Sequence, residues 1–278
     1  MEKTNIIWTE KTWNPVTGCE KISEGCKFCY AETIANNYSG KAFPNKFNLT
    51  LRHHKLTDPL KWKGPSLIFV NSMSDLFWNE IPEEYLNAII DIIEKTPRHE
   101  YQVLTKRPER MLEFSRKRKL PPNFWAGITI ENKRNLFRID ILREMKTEIR
   151  FVSFEPLLDD LENNYDLEDI QWVIVGGESG THLWDEKYQK MRALVFYDRI
   201  KKKWFPKLEA IKWVESIKDK CYESGVKFFF KQWGGNYPEA CGRELNGKTY
   251  NEMPRFPGKR IKIENNYLNF LEGIKSLN

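Results

Sequence analysis

Leu67-Ile68-Phe69-Val70-Asn71-Ser72-Met73-Ser74-Asp75 sets four consecutive apolar residues against an abrupt polar ending. A strand with no polar alternation is buried on both faces, the condition of a strand in a parallel sheet covered by helices. The same pattern recurs outward from it. Pro82 and Glu83 open a helix whose apolar stripe is Tyr85, Leu86, Ala88, Ile89, Ile92 and Ile93. Further apolar runs lie at Tyr101–Leu104, Phe124–Ile128, Arg150–Phe154, Trp172–Val175 and Val226–Phe230. Between them helices are expected over Pro108–Lys117, about Asn132–Met145 and Ala210–Ser224. Upstream, an early strand is expected near Ile6–Trp8.

Each run ends in polar or glycine residues: Thr105-Lys106-Arg107, Thr129-Ile130-Glu131, Ser153-Phe154-Glu155, Gly176-Gly177-Glu178 and Lys231-Gln232. That C-terminal edge is where parallel α/β folds bind ligands. Six or seven βα units therefore predict an α/β protein, a full or partial (β/α) barrel, with a flat doubly wound sheet as the competitor. Residues 1–278 read as one such domain, and its rhythm is broken by lid-like insertions at about 31–66 and 181–208. An irregular extension follows from about 234.

Composition narrows the class. The 278 residues are 40% hydrophobic and 30% charged, with a mean hydropathy of −0.63. No run of about 18 apolar residues occurs, and the N-terminus has no apolar leader, so a cytoplasmic protein without membrane spans is expected. The net charge of +6 suits a phosphate-bearing partner without requiring one. Aromatics reach 14%, including 10 Trp, enough for a core and for base-stacking platforms such as Trp62 and Trp204.

The chemistry concentrates in Gly18-Cys19-Glu20-Lys21-Ile22-Ser23-Glu24-Gly25-Cys26-Lys27-Phe28-Cys29-Tyr30. Clustered cysteines in a reducing compartment usually hold metal. Three thiolates are an incomplete set for a structural zinc ion, unless His53 or His54 joins them. They are also incomplete for a four-iron cluster, which would keep one iron open to a ligand from outside the protein. Three unliganded cysteines are the bland alternative. Cys221 reads as a core residue of a helix, and Cys241 as a loop residue.

Trp13-Asn14-Pro15-Val16-Thr17-Gly18-Cys19, with Gly25-Cys26-Lys27-Phe28-Cys29-Tyr30-Ala31-Glu32, resembles the opening of the phage-protein-like radical SAM family. That family is often catalogued as a domain of unknown function, and many members are encoded beside a three-Cys-motif partner protein. The resemblance continues through Phe69–Phe77, Gln102–Pro108, Phe151–Leu158, Trp172–Gly180 and Phe228–Gly234, from about Trp8 to Pro254. Six residues separate the first two cysteines, where three is the commonest radical SAM spacing. The resemblance implies a four-iron, four-sulfur (4Fe-4S) cluster on Cys19, Cys26 and Cys29. S-adenosylmethionine would chelate the open iron, and an electron donor would drive its cleavage to a 5′-deoxyadenosyl radical.

On that reading the strand ends surround the cofactor. Asn71, Ser72, Ser74 and Asp75 stand where the methionine ammonium is bound, and Thr129 and Glu131 where the ribose is held. Ser153, Glu155, Gly176, Gly177 and Glu178 complete the expected cofactor set. Lys106, Arg107 and Lys231 would meet a substrate phosphate or carboxylate. A nucleic acid or nucleotide is the expected substrate; a peptide or partner protein is the alternative, and a zinc-stabilised binding module without turnover is the reading from another class.

Overall fold

The computed structural model describes residues 4–40, 42–180 and 186–254. In chain order the elements are β1 (Lys11–Trp13), β2 (Val16–Thr17), α1 (Tyr30–Asn37), β3 (Thr50–Leu51), α2 (His53–Leu56), α3 (Asp58–Lys61), β4 (Leu67–Val70) and α4 (Glu83–Glu94). They continue with β5 (Glu100–Thr105), α5 (Pro108–Lys117), β6 (Phe124–Thr129), α6 (Arg138–Arg143), β7 (Ile149–Phe154) and β8 (Trp172–Gly176). The last are α7 (Glu186–Arg192), β9 (Val195–Asp198), β10 (Lys203–Pro206), α8 (Leu208–Glu223) and β11 (Lys227–Gln232).

Seven strands form one sheet in the order β1-β4-β5-β6-β7-β8-β11, every neighbouring pair parallel. The order never reverses. Right-handed crossovers that always step in one direction put their helices on one face, so the sheet curls with its other face inward. β1 and β11 remain its two edges, which makes the architecture a half-barrel.

Strand alternation explains the two cores. Ile68, Val70, Val103, Ala126, Val152, Val173, Phe228 and Phe230 face the helices and pack with Ile89, Ile93, Leu142, Val214 and Ile217. Residues one step out of register line the concave face: Leu67, Phe69, Trp125, Phe151, Trp172, Ile174 and Phe229, with Trp8. The abundance of aromatics is largely this layer. Trp172 meets Trp8, Trp125, Phe151 and Phe229 at centroid distances of 5.5–6.2 Å. Gly127 makes room for it, since a Cβ there would lie 2.2 Å from Phe151 Cζ.

The early strand is displaced from its expected place. Ile6–Trp8 is a turn, and pairing with β4 begins at Lys11. Trp8 is apolar because it plugs the bottom of the concave face, where its carbonyl accepts from Gln102 Nε2 at 3.1 Å. The helix expected over Asn132–Met145 is a 3-10 turn at Lys133–Asn135 followed by the short α6. The first insertion supplies α1, α2, α3 and β3, whose antiparallel pairing with β2 clamps the root of the excursion between residues 18 and 49. The second supplies α7 and the β9–β10 hairpin; its residues 181–185 lie outside the described part, as do 255–278 of the C-terminal extension. Among the described residues no helix is long and apolar enough to cross a membrane.

Candidate functional site

The cysteine loop lies across the C-terminal ends of the strands. Gly18 turns the chain onto the rim with φ +89°, and a Cβ there would sit 2.2 Å from the Asn48 carbonyl oxygen, so the position requires glycine. The next residues touch successive strand ends. Gly18 N donates to Met73 O at 3.0 Å, and Ser74 Oγ donates to Gly18 O at 2.6 Å. Arg107 Nη2 donates to Glu20 O at 3.4 Å. Ser23 Oγ donates to the Glu131 carboxylate, and Gly25 lies flat against it: a Cβ would be 2.5 Å from Glu131 Cγ. Arg192 Nη2 donates to Glu24 O at 2.9 Å. Cys26 ends a 3-10 turn and Cys29 immediately precedes α1.

Beneath the loop the charges are paired. Asp75 is 7% exposed and accepts from Thr105 Oγ1 at 2.6 Å and from Lys106 N, Phe77 N and Arg107 Nη1, each at 3.0 Å. Glu131 is fully buried; it accepts from Asn135 Nδ2 at 2.7 Å and Arg138 Nη1 at 3.2 Å, with Lys106 Nζ 3.5 Å from its other oxygen. Arg192 reaches Glu178 at 2.9 and 3.1 Å. Burial raises the Glu178 carboxyl, and the Arg192 guanidinium opposes the rise. Lys231 pairs with Glu155.

On the rim Lys106, Arg107 and Lys231 each have a carboxylate, Glu131, Asp75 and Glu155 in turn. Within the cofactor set, Asp75 and Glu131 have their oxygens engaged by the protein, Ser72 Oγ donates to Asn14 Oδ1 at 3.1 Å, and Ser74 holds the loop. The Thr129 carbonyl accepts from Arg138 at 2.6 Å. At Gly177 the close backbone approach is to the chain itself, for a Cβ would lie 2.1 Å from Trp233 O; at Gly176 it would meet Glu155 Cδ at 3.3 Å. Asn71 holds φ 58° and its Oδ1 accepts from Val16 N at 3.3 Å. Three buried polar atoms of these strands lack a partner among the described residues: Asn71 Nδ2 and Ser153 Oγ near the strand ends, and Gln102 Oε1 deeper, on the side chain that reaches Trp8. Gln102 and Ser153 stand in the inward register, opposite Phe69 and Ile174. Trp62 packs on the core, with its ring edge-on to His99, and Trp204 also packs there.

The three thiols are free and half-buried. Burial pushes the Cys19 thiol up to about 11, Asp75 adds to the rise, and Arg107, whose Nη1 is 3.9 Å from Sγ, opposes it. Burial raises Cys29 as well, against Lys106. Metal ligation at these positions would therefore release protons, and the neighbouring cations favour the thiolates. Among the described residues no three His, Cys, Asp or Glu side chains gather at the spacing of a single ion. His53 instead packs its ring on Tyr85 at 5.1 Å. A donor set of three thiols on one loop fits a cluster, whose irons are spread apart, better than it fits one zinc ion.

A cleft of about 720 Å³ opens beside the loop, lined in part by Ile22, Lys106, Arg107, Arg110, Phe137 and Arg138. Arg110 Nη2 donates to Ile81 O at 2.5 Å, while its buried Nη1 has no partner among the described residues. Sequence reasoning missed Arg138, Arg192, Ser23 and Asn14. Arg138 lies seven residues beyond Glu131 at the start of α6 and carried a weak signal; Arg192, in an unpatterned insertion, carried none.

Fold and site together define a parallel α/β half-barrel that presents a C-x6-C-x2-C loop on its ligand-binding edge. Over residues 3–195 and 207–254 the chain matches the family described as Protein of unknown function (DUF5131), and it belongs to that family. No curated protein matches it. Among solved structures, two of spore photoproduct lyase are similar. One is a cysteine-to-alanine mutant with dinucleoside spore photoproduct, at 12% identity; the other is a tyrosine-to-phenylalanine mutant, at 11%. Each covers 80% of this chain and 74% of its own, with a TM-score of 0.46.

Proposed function

We propose that the protein is a radical S-adenosylmethionine enzyme that modifies a nucleic acid or nucleotide, with a 4Fe-4S cluster on Cys19, Cys26 and Cys29. One observation carries the reading: three free thiols lie on a loop braced across the C-terminal edge of the strands of a half-barrel. The bound cluster with S-adenosylmethionine supplies reductive cleavage to a carbon radical that takes hydrogen from a substrate.

The chain's own residues do the rest. Ser74, Arg107, Ser23 and Arg192 fix the loop, so the thiols are held before any ligand arrives. Arg107 and Lys106 offset the negative charge of thiolates. Asn71 Nδ2 and Ser153 Oγ are the unengaged polar atoms for the methionine and adenosyl groups. The aromatic layer of Trp8, Trp125, Phe151 and Trp172 closes the bottom of the concave face and excludes water. Arg110 lines the cleft, and its positive charge suits a phosphate there. An electron donor is required as partner, and a three-Cys-motif protein is a candidate partner.

Anaerobic reconstitution tests the reading. The full chain should take up about four irons, turn brown and change its spectrum with S-adenosylmethionine. Cys19→Ala, Cys26→Ala or Cys29→Ala should each abolish assembly, while Cys221→Ala and Cys241→Ala should not. Dithionite should then release 5′-deoxyadenosine. Full iron uptake by the Cys26→Ala protein, or no 5′-deoxyadenosine from a loaded one, refutes it.

A further inference from the structure

Most of the β9–β10 hairpin lies outside the stretches that match the family model. Residues 196–206 fall between the two matched stretches, which stop at 195 and resume at 207. The chain closes beneath them: Lys207 N donates to Leu194 O at 2.9 Å, and Val195 is buried. Removing the hairpin would thus leave adjoining ends.

Its two faces differ. Phe196 pairs with Phe205 and Tyr197 with Trp204, so the two pairs point to opposite sides. Trp204 seats the hairpin, its ring lying 3.3 Å from where a Cβ of Gly235 would stand. On the outer face the Phe196 and Phe205 rings stack at 6.0 Å and 30°. Lys201 and Lys203 place their ammonium groups 5.2 and 6.0 Å from the Phe205 centroid. Phe196 is 47% exposed, Tyr197 on the other face 45%, and Ile200 at the tip 94%. The turn is held by Asp198 Oδ1, which accepts from Ile200 N and Lys201 N, both at 2.9 Å.

The charge is one-sided. Arg199, Lys201, Lys202 and Lys203 stand against Asp198 as the one acid between 196 and 206. All four are exposed. No ion pair joins them to another described residue. A solvated turn explains the lysines but not a stacked phenylalanine pair beside them. A lipid surface would favour several apolar residues grouped at the tip, whereas Ile200 stands there alone among four cations, and the rings lie on the flank. Flat rings flanked by cations match a polymer with flat bases and regularly spaced phosphates.

We propose that the β9–β10 hairpin is a single-stranded nucleic-acid-binding element. Phe196 and Phe205 stack bases, and Arg199 with Lys201–Lys203 meets the backbone. The hairpin joins the rim through α7, whose Arg192 bonds the Glu24 carbonyl of the cysteine loop, so a strand held there is led toward the thiols. The inference rests on the nucleic-acid reading for the class of substrate, but binding does not require the radical chemistry.

Fluorescence anisotropy of a labelled oligothymidylate with the full chain tests it, alongside a duplex of equal length. The single strand should bind more tightly, and its affinity should fall as salt rises. The triple change Lys201→Gln, Lys202→Gln and Lys203→Gln should lower the salt exponent by roughly 0.7 per charge removed. The pair Phe196→Ser and Phe205→Ser should weaken binding by about tenfold or more with an unchanged salt exponent. Substrate-free 5′-deoxyadenosine formation should be the same in all variants, so loss of that activity bears on the cysteine site and not on the hairpin. Equal affinity across the variants, absence of binding at low salt, or binding to phosphatidylserine vesicles without binding to the oligonucleotide overturns the proposal.

Discussion

The rim beneath the cysteine loop and the β9–β10 hairpin contain the same residue types in opposite circumstances. On the rim, Lys106, Arg107, Arg138, Arg192 and Lys231 each have a carboxylate partner. On the hairpin, Lys201 and Lys203 have ring faces, and among the described residues no carboxylate pairs with them. A cation's role follows from what faces it. Buried and paired, it fixes geometry, because separating the pair strands a charge; exposed and unpaired, it leaves its attraction for a partner.

Asp75→Asn is the strongest test of that contrast. It leaves Arg107, 8% exposed, with only the exposed Glu20 carboxylate at 3.8 Å, and should cost about 3 kcal/mol in urea unfolding. A cost below about 0.5 kcal/mol would place the rim pairs with ordinary surface salt bridges and end the distinction.

Gly25→Ala should come next, at roughly 1–3 kcal/mol, because its Cβ would drive into Glu131. In the background of Glu131→Ala most of that cost should vanish, since the obstructing atoms are gone. Additive costs in the double-mutant cycle would show that Glu131 does not hold the loop.

Lys202→Glu should be the mildest. Lys202 is exposed at the hairpin turn, and its unfolding midpoint should shift by no more than about 0.5 kcal/mol in free energy. A larger loss would tie the hairpin into the rim's charge network and blur the two regions into one.

Much of the fold is legible because burial writes a local pattern. β4, β6 and β8 are apolar at every or nearly every position, being covered on both faces, and α5 begins and ends where Pro108 and Lys117 suggest. Ile6–Trp8 misleads for the same reason: an apolar run that plugs the concave face looks like one that pairs. The glycines are legible as special positions without revealing why. Gly18 needs its positive φ, whereas Gly177 and Gly25 are needed because Trp233 and Glu131 lie against them.

The sequence by itself determines the order of strands and helices, the polar strand ends and the three thiols on one loop. These follow from periods of 2 and 3.6 and from spacings within eleven residues, all local properties of the chain. Only the tertiary structure decides that the rim cations are neutralised and that, among the described residues, the hairpin cations are not. Arg107 finds Asp75 across 32 residues, Lys231 finds Glu155 across 76, and Arg192 finds Glu24 across 168. Those partners become neighbours when the crossovers lay the strand ends side by side, and charge pairing depends on that distance in space.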